Sequence, residues 1–344
     1  MESTMKAAVL KDLETIAIED VPVPEPKDGE VLVEVRASAL CGSDLAGYTG
    51  QHSMIKWPII LGHEASGVVA KCGRGADNWS PGDPVTIEPL FTCKKCHACR
   101  TGKYHLCSSL KFAGHQVHGT FAKYAIAESG FLHRKPENVS FEEAALTEPA
   151  ASPLHAIERC DIRLGDFVVI IGSGVTGLFA LQYALSKGAE VLISDPEEFK
   201  LKIAGDFGAN YILNPGKQDL RKRVMAITGG IGADCVVEAV GISETLASTV
   251  SFVKGGGPIL LIGYSEKESE PFDLSTVTLA ELTVLGMLAY FNDFPAALKL
   301  MSLGRVKAGP IITHRLPLES VEEGIKMMKR KDQGIIKIVI TYDR

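Results

Sequence analysis

The rhythm of apolar positions changes near residue 165. Before it, short Val- and Ala-rich runs at 6–9, 30–37 and 67–71 are separated by turn-forming stretches. These are Val21-Pro22-Val23-Pro24-Glu25-Pro26, Lys27-Asp28-Gly29 and Ser80-Pro81-Gly82-Asp83-Pro84, the last leading into an apolar run at 85–88. Such a pattern predicts a β-rich region of short strands joined by tight loops. Ser140, with Glu143 three residues on and Ala144, Ala145 and Leu146 following, has the form of a capping box and predicts a helix start. Beyond 165, apolar runs at 167–171, 190–194, 211–213, 235–238, 259–262 and 283–285 appear, the earlier ones separated by helical patterns at 175–187, 197–207 and 218–228. Strand–helix alternation at this spacing predicts an α/β unit with a parallel sheet covered on both faces. Shorter mixed elements return after about 290 and end in an apolar strand at 334–341.

A chain of 344 residues exceeds what one hydrophobic core usually organises, so two domains are expected. Residues 167–186 carry no charge and are long enough to raise a membrane span. Gly172, Gly174 and Gly177, with Ser173, Thr176 and Gln182, fit a buried strand, a tight turn and a helix better. The net charge of −6 and pI near 5.9 offer no electrostatic footprint for nucleic acid. Residues 1–10 mix Glu2 and Lys6 with short apolar runs, which is not a secretory signal. Four of the eight cysteines crowd into residues 93–107, a pattern that in a reducing, cytoplasmic setting points to metal rather than disulfides. Cys72, Cys160 and Cys235 read as small core residues.

Gly172-Ser173-Gly174-Val175-Thr176-Gly177 follows the apolar run 167–171 and opens a helical pattern, and Asp195 closes the next run. Glycines at this spacing permit a tight turn, close approach of backbone to a pyrophosphate, and helix-on-strand contact. The helix start offers free N–H groups to the phosphates. Asp195 lies 18 residues past Gly177, where an acid accepts from the adenosine ribose hydroxyls. Because Asp195 repels a 2′-phosphate and Pro196, Glu197 and Glu198 supply no cation, NAD is expected over NADP.

Two further groups have metal chemistry. Cys93, Cys96, Cys99 and Cys107 form C-x2-C-x2-C-x7-C, which suits a closed structural zinc site; a ferredoxin-type iron–sulfur run would end in Cys-Pro and bring a second cluster. Cys41-Gly42-Ser43-Asp44 and Gly62-His63-Glu64 together supply S, N and O donors of a catalytic zinc. Asp44 suits an acceptor that orients the His63 imidazole. Locally, Glu148 between Thr147 and Pro149 reads equally as a ligand or as an acid marking a turn.

Taken together, these residues resemble the zinc-containing medium-chain dehydrogenase/reductase family, in its polyol (sorbitol-type) dehydrogenase branch. The likeness extends nearly end to end, through Leu61-Gly62-His63-Glu64-Ala65-Ser66-Gly67, the four-cysteine lobe, His118-Gly119, Phe141-Glu142-Glu143, Glu148-Pro149, Leu154-His155-Ala156 and Thr313-His314-Arg315. It implies a GroES-like catalytic domain at 1–152, completed by 290–344, and a Rossmann NAD-binding domain at 153–289, with the active site in the cleft between them. Catalytic zinc would be held by Cys41, His63 and Glu148, with Glu64 as ligand or near-ligand and Ser43 as the first proton-relay hydroxyl. A homotetramer or dimer is also implied. The branch often carries an Arg-Tyr pair where this chain has Ala289-Tyr290, which puts sorbitol itself in doubt. Tyr48, His52, His118 and Tyr290 are candidate substrate contacts. The expected activity is oxidation of a secondary alcohol by NAD, on a polyol, diol or sugar alcohol. A polyol phosphate, L-threonine oxidation and a non-enzymatic NAD-binding redox sensor are the alternatives.

Overall fold

The apolar runs beyond residue 165 become strands, the central ones buried on both faces. The strands are β1 (Phe167–Ile171), β2 (Glu190–Ser194), β3 (Tyr211–Leu213), β4 (Cys235–Glu238), β5 (Pro258–Leu261) and β6 (Thr283–Gly286). All pair in parallel, in the order 3-2-1-4-5-6, so the connections reverse direction at β1. This is the doubly wound dinucleotide-binding order. β1 is buried at every position, and Val169, Leu192, Val236 and Ile259 are fully buried in one core with Phe252. β6 is the edge: Val284 and the nearby Leu274, Leu279 and Leu288 are exposed.

The computed structural model describes residues 3–265, 267, 269–270 and 272–342, and the chain divides into two units. One joins Met1–Glu148 to Phe294–Arg344; the other is Pro149–Asp293 and contains β1–β6. In the first, a mixed sheet runs through Leu132–Arg134, Pro84–Ile87, Glu64–Cys72, Glu30–Ala39, Lys337–Thr341 and Ile312–Pro317, with Tyr124–Glu128 added against Glu30–Ala39. Val31, Val33, Val35, Val69, Val85 and Ile87 fill one core beside this sheet. The return of the chain at 337–341 pairs it antiparallel with Glu30–Ala39, Val339 opposite Ala39, and Ala39 in turn lies opposite Glu64. Three strands distant in sequence therefore end at one place.

The charge-free stretch 167–186 divides into β1, a turn in which Gly172 has φ +97°, and the helix Val175–Ser186. Among the described residues no helix is long and apolar enough to cross a membrane. The capping box forms as expected: Glu143 N–H donates to Ser140 Oγ at 3.2 Å, and Ser140 N–H to Glu143 Oε2 at 3.0 Å.

Candidate active site

Cys41 is the N-cap of the helix Gly42–Tyr48, and Asp44 is the third residue of that helix. The Asp44 carboxylate is fully buried and accepts from Cys41 N–H at 2.9 Å and Gly62 N–H at 3.0 Å. One side chain thus ties together the two loops that carry Cys41 and His63. Hydrogen bonds to a buried carboxylate are worth about 1.5–3 kcal/mol each. Its Oδ1 also lies 3.9 Å from His63 Nδ1, an electrostatic contact rather than a hydrogen bond. Gly62 is required here: its φ is +91°, and a Cβ would meet Thr120 Oγ1 at 2.8 Å and the Phe121 ring at 2.9 Å.

Cys41, His63 and Glu64 place one ligand atom each within 4.8 Å of one another. Burial alone would raise the Cys41 thiol, but hydrogen bonding to His63, with the positive charges of His63 and Lys337, outweighs it and brings the group down to about 7. Burial opposes protonation of His63, yet Cys41, Asp44 and Glu148 overcome it and hold the imidazole well above its ordinary value. Burial pushes Glu64 well up; Lys337 opposes this while Cys41 and Glu148 add to it. Glu148, in the first turn of the helix Thr147–Glu158, lies outside the 4.8 Å set, although its charge acts on His63, Glu64 and Lys337.

Lys337 was not anticipated. Its ammonium is buried and donates to Glu64 Oε1 at 2.7 Å and to the Leu40 carbonyl at 2.8 Å. Burial works against its charge, but Glu64 and Cys41 more than compensate, so its pKa is raised. The other carboxylate oxygen, Glu64 Oε2, is buried without a hydrogen-bond partner, as is Ser43 Oγ. Thiol, imidazole and carboxylate donors with an unfilled oxygen among them fit a zinc ion with an open position.

The four-cysteine lobe also assembles. Cys93, Cys96, Cys99 and Cys107 have sulfurs within 4.8 Å of one another, carried by the turn before His97–Arg100, by that helix (Cys99) and by the loop after Tyr104–Leu106. Backbone hydrogen bonding from Cys99 and Ser108 lowers Cys96 to about 6, whereas burial and the adjacent sulfurs push Cys99 to about 12. Such sulfurs become thiolates together only around a cation, so the cage fits a structural zinc. Cys160 and Cys235 are buried, as expected of core residues, and Cys72 is half-buried.

In the other unit the glycine turn has the expected form. A Cβ on Gly177 would lie 1.9 Å from the Gly172 carbonyl oxygen, so helix and turn need glycine to touch. A Cβ on Gly174 would meet nothing within 4 Å, which leaves an open cradle at the helix start with no side-chain cap. Asp195 does more than the sequence suggested. It accepts from Ser173 N–H at 2.8 Å and from Glu197 N–H at 2.9 Å, bracing the turn while keeping further lone pairs for a ribose.

The candidate substrate contacts separate. Tyr48 is 1% exposed in the hydrophobic core, and its hydroxyl donates to Glu322 at 3.2 Å, so it is committed there. His118 sits on the surface, its Nδ1 accepting from Ile60 N–H at 3.2 Å. Tyr290 is fully buried in the Pro149–Asp293 unit, and Ala289 before it has φ +48°. The residue against His63 is instead His115, whose ring centroid lies 5.2 Å from that of His63 and 4.5 Å from that of His52. Burial, with His63 and His52 nearby, lowers His115 to about 2, so it is neutral.

The chain is similar to known proteins over nearly its whole length. The family model described as the alcohol dehydrogenase GroES-like domain matches residues 27–137, and the zinc-binding dehydrogenase model matches 175–302. The chain is 32% identical to a sorbitol dehydrogenase of Bacillus subtilis, covering 99% of this chain and 98% of the relative. It is 33% identical to an L-threonine 3-dehydrogenase of Pyrococcus abyssi, over 93% and 94% of the two chains. A solved structure of an Escherichia coli oxidoreductase/dehydrogenase of unknown specificity superposes with a TM-score of 0.95 at 30% identity, covering 99% of this chain and all of the other. The chain belongs to the zinc-containing medium-chain alcohol dehydrogenase family, and its sorbitol dehydrogenase-like branch. It is a zinc-dependent oxidoreductase of the alcohol and polyol class with a GroES-like and a Rossmann domain.

Proposed function

We propose that this chain oxidises a secondary alcohol of a diol, polyol or sugar alcohol, passing hydride to NAD. The observation that carries the reading is the Cys41–His63–Glu64 set, with His63 and Glu64 buried and Cys41 half-buried, and with Ser43 Oγ and Glu64 Oε2 lacking hydrogen-bond partners beside it. Cys41, His63 and Glu148 would hold the catalytic zinc, which when bound supplies Lewis acidity that makes an alcohol acidic at neutral pH. Asp44 fixes the two ligand loops. Glu64, neutralised by Lys337, stands as near-ligand. Ser43 would take the alcohol proton toward solvent. Cys93, Cys96, Cys99 and Cys107 would hold the structural zinc. Gly172, Gly174, Val175, Thr176 and Gly177 would receive the NAD pyrophosphate, with Asp195 on the ribose. NAD is favoured over NADP because Asp195 is an acid and Lys200 nearby is engaged by Glu197 at 2.6 Å.

The 1–152 and 290–344 segments as catalytic domain, and 153–289 as cofactor domain, follow the same reading. Exposed Leu274, Leu279, Val284 and Leu288 along and beside the edge strand β6 favour a homo-oligomer, with a tetramer preferred. Eight free cysteines, four of them clustered, favour the cytoplasm. Oxidation of L-threonine is the second reading, favoured by the archaeal relative. A panel of diols, polyols, a polyol phosphate and L-threonine, read by NADH formation alongside zinc analysis, tests all of this. Two zincs per chain with turnover of a polyol or diol supports the proposal. Absence of zinc, or turnover of threonine alone, rejects it.

A further inference from the structure

His115 is 8% exposed, and neither ring nitrogen has a hydrogen-bond partner. Its ring is packed among His63, His52 and Phe112, at centroid distances of 5.2, 4.5 and 5.6 Å. A side chain needed only for packing would be apolar here, because two buried and unmet polar atoms disfavour the fold. The position is also built. Gly114 has φ +77°, and a Cβ on it would approach the Gly62 carbonyl oxygen to 2.7 Å, so the loop is pressed onto the segment that presents His63. The same loop lines a hollow of about 420 Å³ with Met54, Lys56, Ile59 and Gln116. His115 therefore packs against a residue of the metal set and also borders this hollow, whose lining includes none of Cys41, His63 and Glu64.

We propose that His115 is a specificity-determining residue that hydrogen-bonds a second hydroxyl of the substrate while the reacting oxygen lies at the Cys41–His63–Glu64 centre. The ligand class is an alcohol bearing a neighbouring hydroxyl, as in a vicinal diol or polyol. This rests on the alcohol-oxidation reading above and names the part of the molecule that reads the substrate. An imidazole offers one N–H donor and one acceptor, which suits a hydroxyl that both gives and receives a hydrogen bond. A simple alcohol would leave the buried imidazole unmet, and a site of that kind disfavours the analogue lacking the group.

The test uses the zinc-loaded holoenzyme and compares butane-2,3-diol with butan-2-ol. His115→Phe keeps a ring but removes both nitrogens; His115→Asn keeps a donor and an acceptor. The ratio of kcat/KM for diol over mono-alcohol should fall about 10–100-fold in His115→Phe, as expected for loss of one buried hydrogen bond. It should recover in part in His115→Asn. Calorimetric titration of the NADH-loaded holoenzyme with the diol should show the same loss of affinity. A ratio and a diol affinity both unchanged within about twofold in His115→Phe would overturn the assignment. If the wild-type protein oxidises no alcohol, the functional reading itself fails; if it prefers diols and the variants keep that preference, only the role of His115 fails.

Discussion

Replacing Lys337 by Met probes the least anticipated contact in the molecule. Lys337 and Glu64 are 2.7 Å apart with side chains 5% and 0% exposed. Removing Lys337 leaves Glu64 buried without its counter-ion, either charged or forced to take up a proton, and costs about 3–5 kcal/mol. At roughly 2–4 °C of Tm per kcal/mol for a domain of this size, the metal-free variant should melt roughly 6–20 °C lower. Adding Glu64→Gln should restore much of the loss, because the orphaned carboxylate is then gone; the four proteins form a double-mutant cycle. The zinc-loaded protein should lose less than the chelated one, since the cation can balance Glu64. Lys337 has a raised pKa, so its stabilisation is complete below the unfolded lysine value and disappears only as pH rises through the higher folded value. Thermal unfolding by circular dichroism at neutral and alkaline pH measures both effects. A Tm drop under about 2 °C in the chelated Lys337→Met protein, or no recovery in the double variant, would refute the reasoning.

Three further outcomes follow from the site. Cys41→Ser should abolish turnover with little change in Tm, whereas Cys99→Ser should lower stability or assembly by removing a closed-site ligand; near-normal kcat in Cys41→Ser would remove the catalytic-zinc argument. Asp195→Asn drops the charge and keeps one of the two acceptor oxygens that serve the Ser173 and Glu197 amides, so kcat/KM for NADP should gain on that for NAD by about tenfold or more. Unchanged discrimination would show that Asp195 only braces the turn. His63 is raised above its ordinary value and Cys41 lies near 7 in the metal-free protein, so protons compete with metal. Zinc affinity measured with a chelating indicator should therefore weaken as pH falls below about 7, and a flat profile between about pH 6 and 8 would contradict these shifts.

What could be read from the residue order was local. β1 and the glycine turn were legible because a strand buried on both faces is continuously apolar and the turn needs three glycines at fixed offsets. The cysteine cage was legible because its ligands fall within fifteen residues. Lys337 was not, because the contact with Glu64 spans 273 positions and arises from the register of Lys337–Thr341 on Glu30–Ala39. Tyr48 stands apart from Cys41 for a simple reason: seven residues of helix carry a side chain about 10 Å along the axis, here into a core where Glu322 accepts from its hydroxyl. His115 lacked any sequence signal beyond being a histidine between Gly114 and Gln116. Only the crowding of Gly114 against Gly62 brings it to the metal set.

The Asp44 carboxylate has a consequence for the life of the protein between metal ions. Because it accepts from the amides of Cys41 and Gly62, the backbone of the two loops that would present the catalytic ion's ligands is held by the polypeptide itself. The cysteine lobe differs, since its sulfurs can be jointly ionised only around a cation. Zinc scarcity should then affect the two centres unequally: the first is emptied and refilled like a lock losing its key, while the second loosens its own loop. Slow hydrogen exchange at the Cys41 and Gly62 amides after chelation, beside rapid exchange across 93–107, would be the trace of that asymmetry. A cell in which zinc fluctuates would find this enzyme silenced, and awakened again, without having to make it anew.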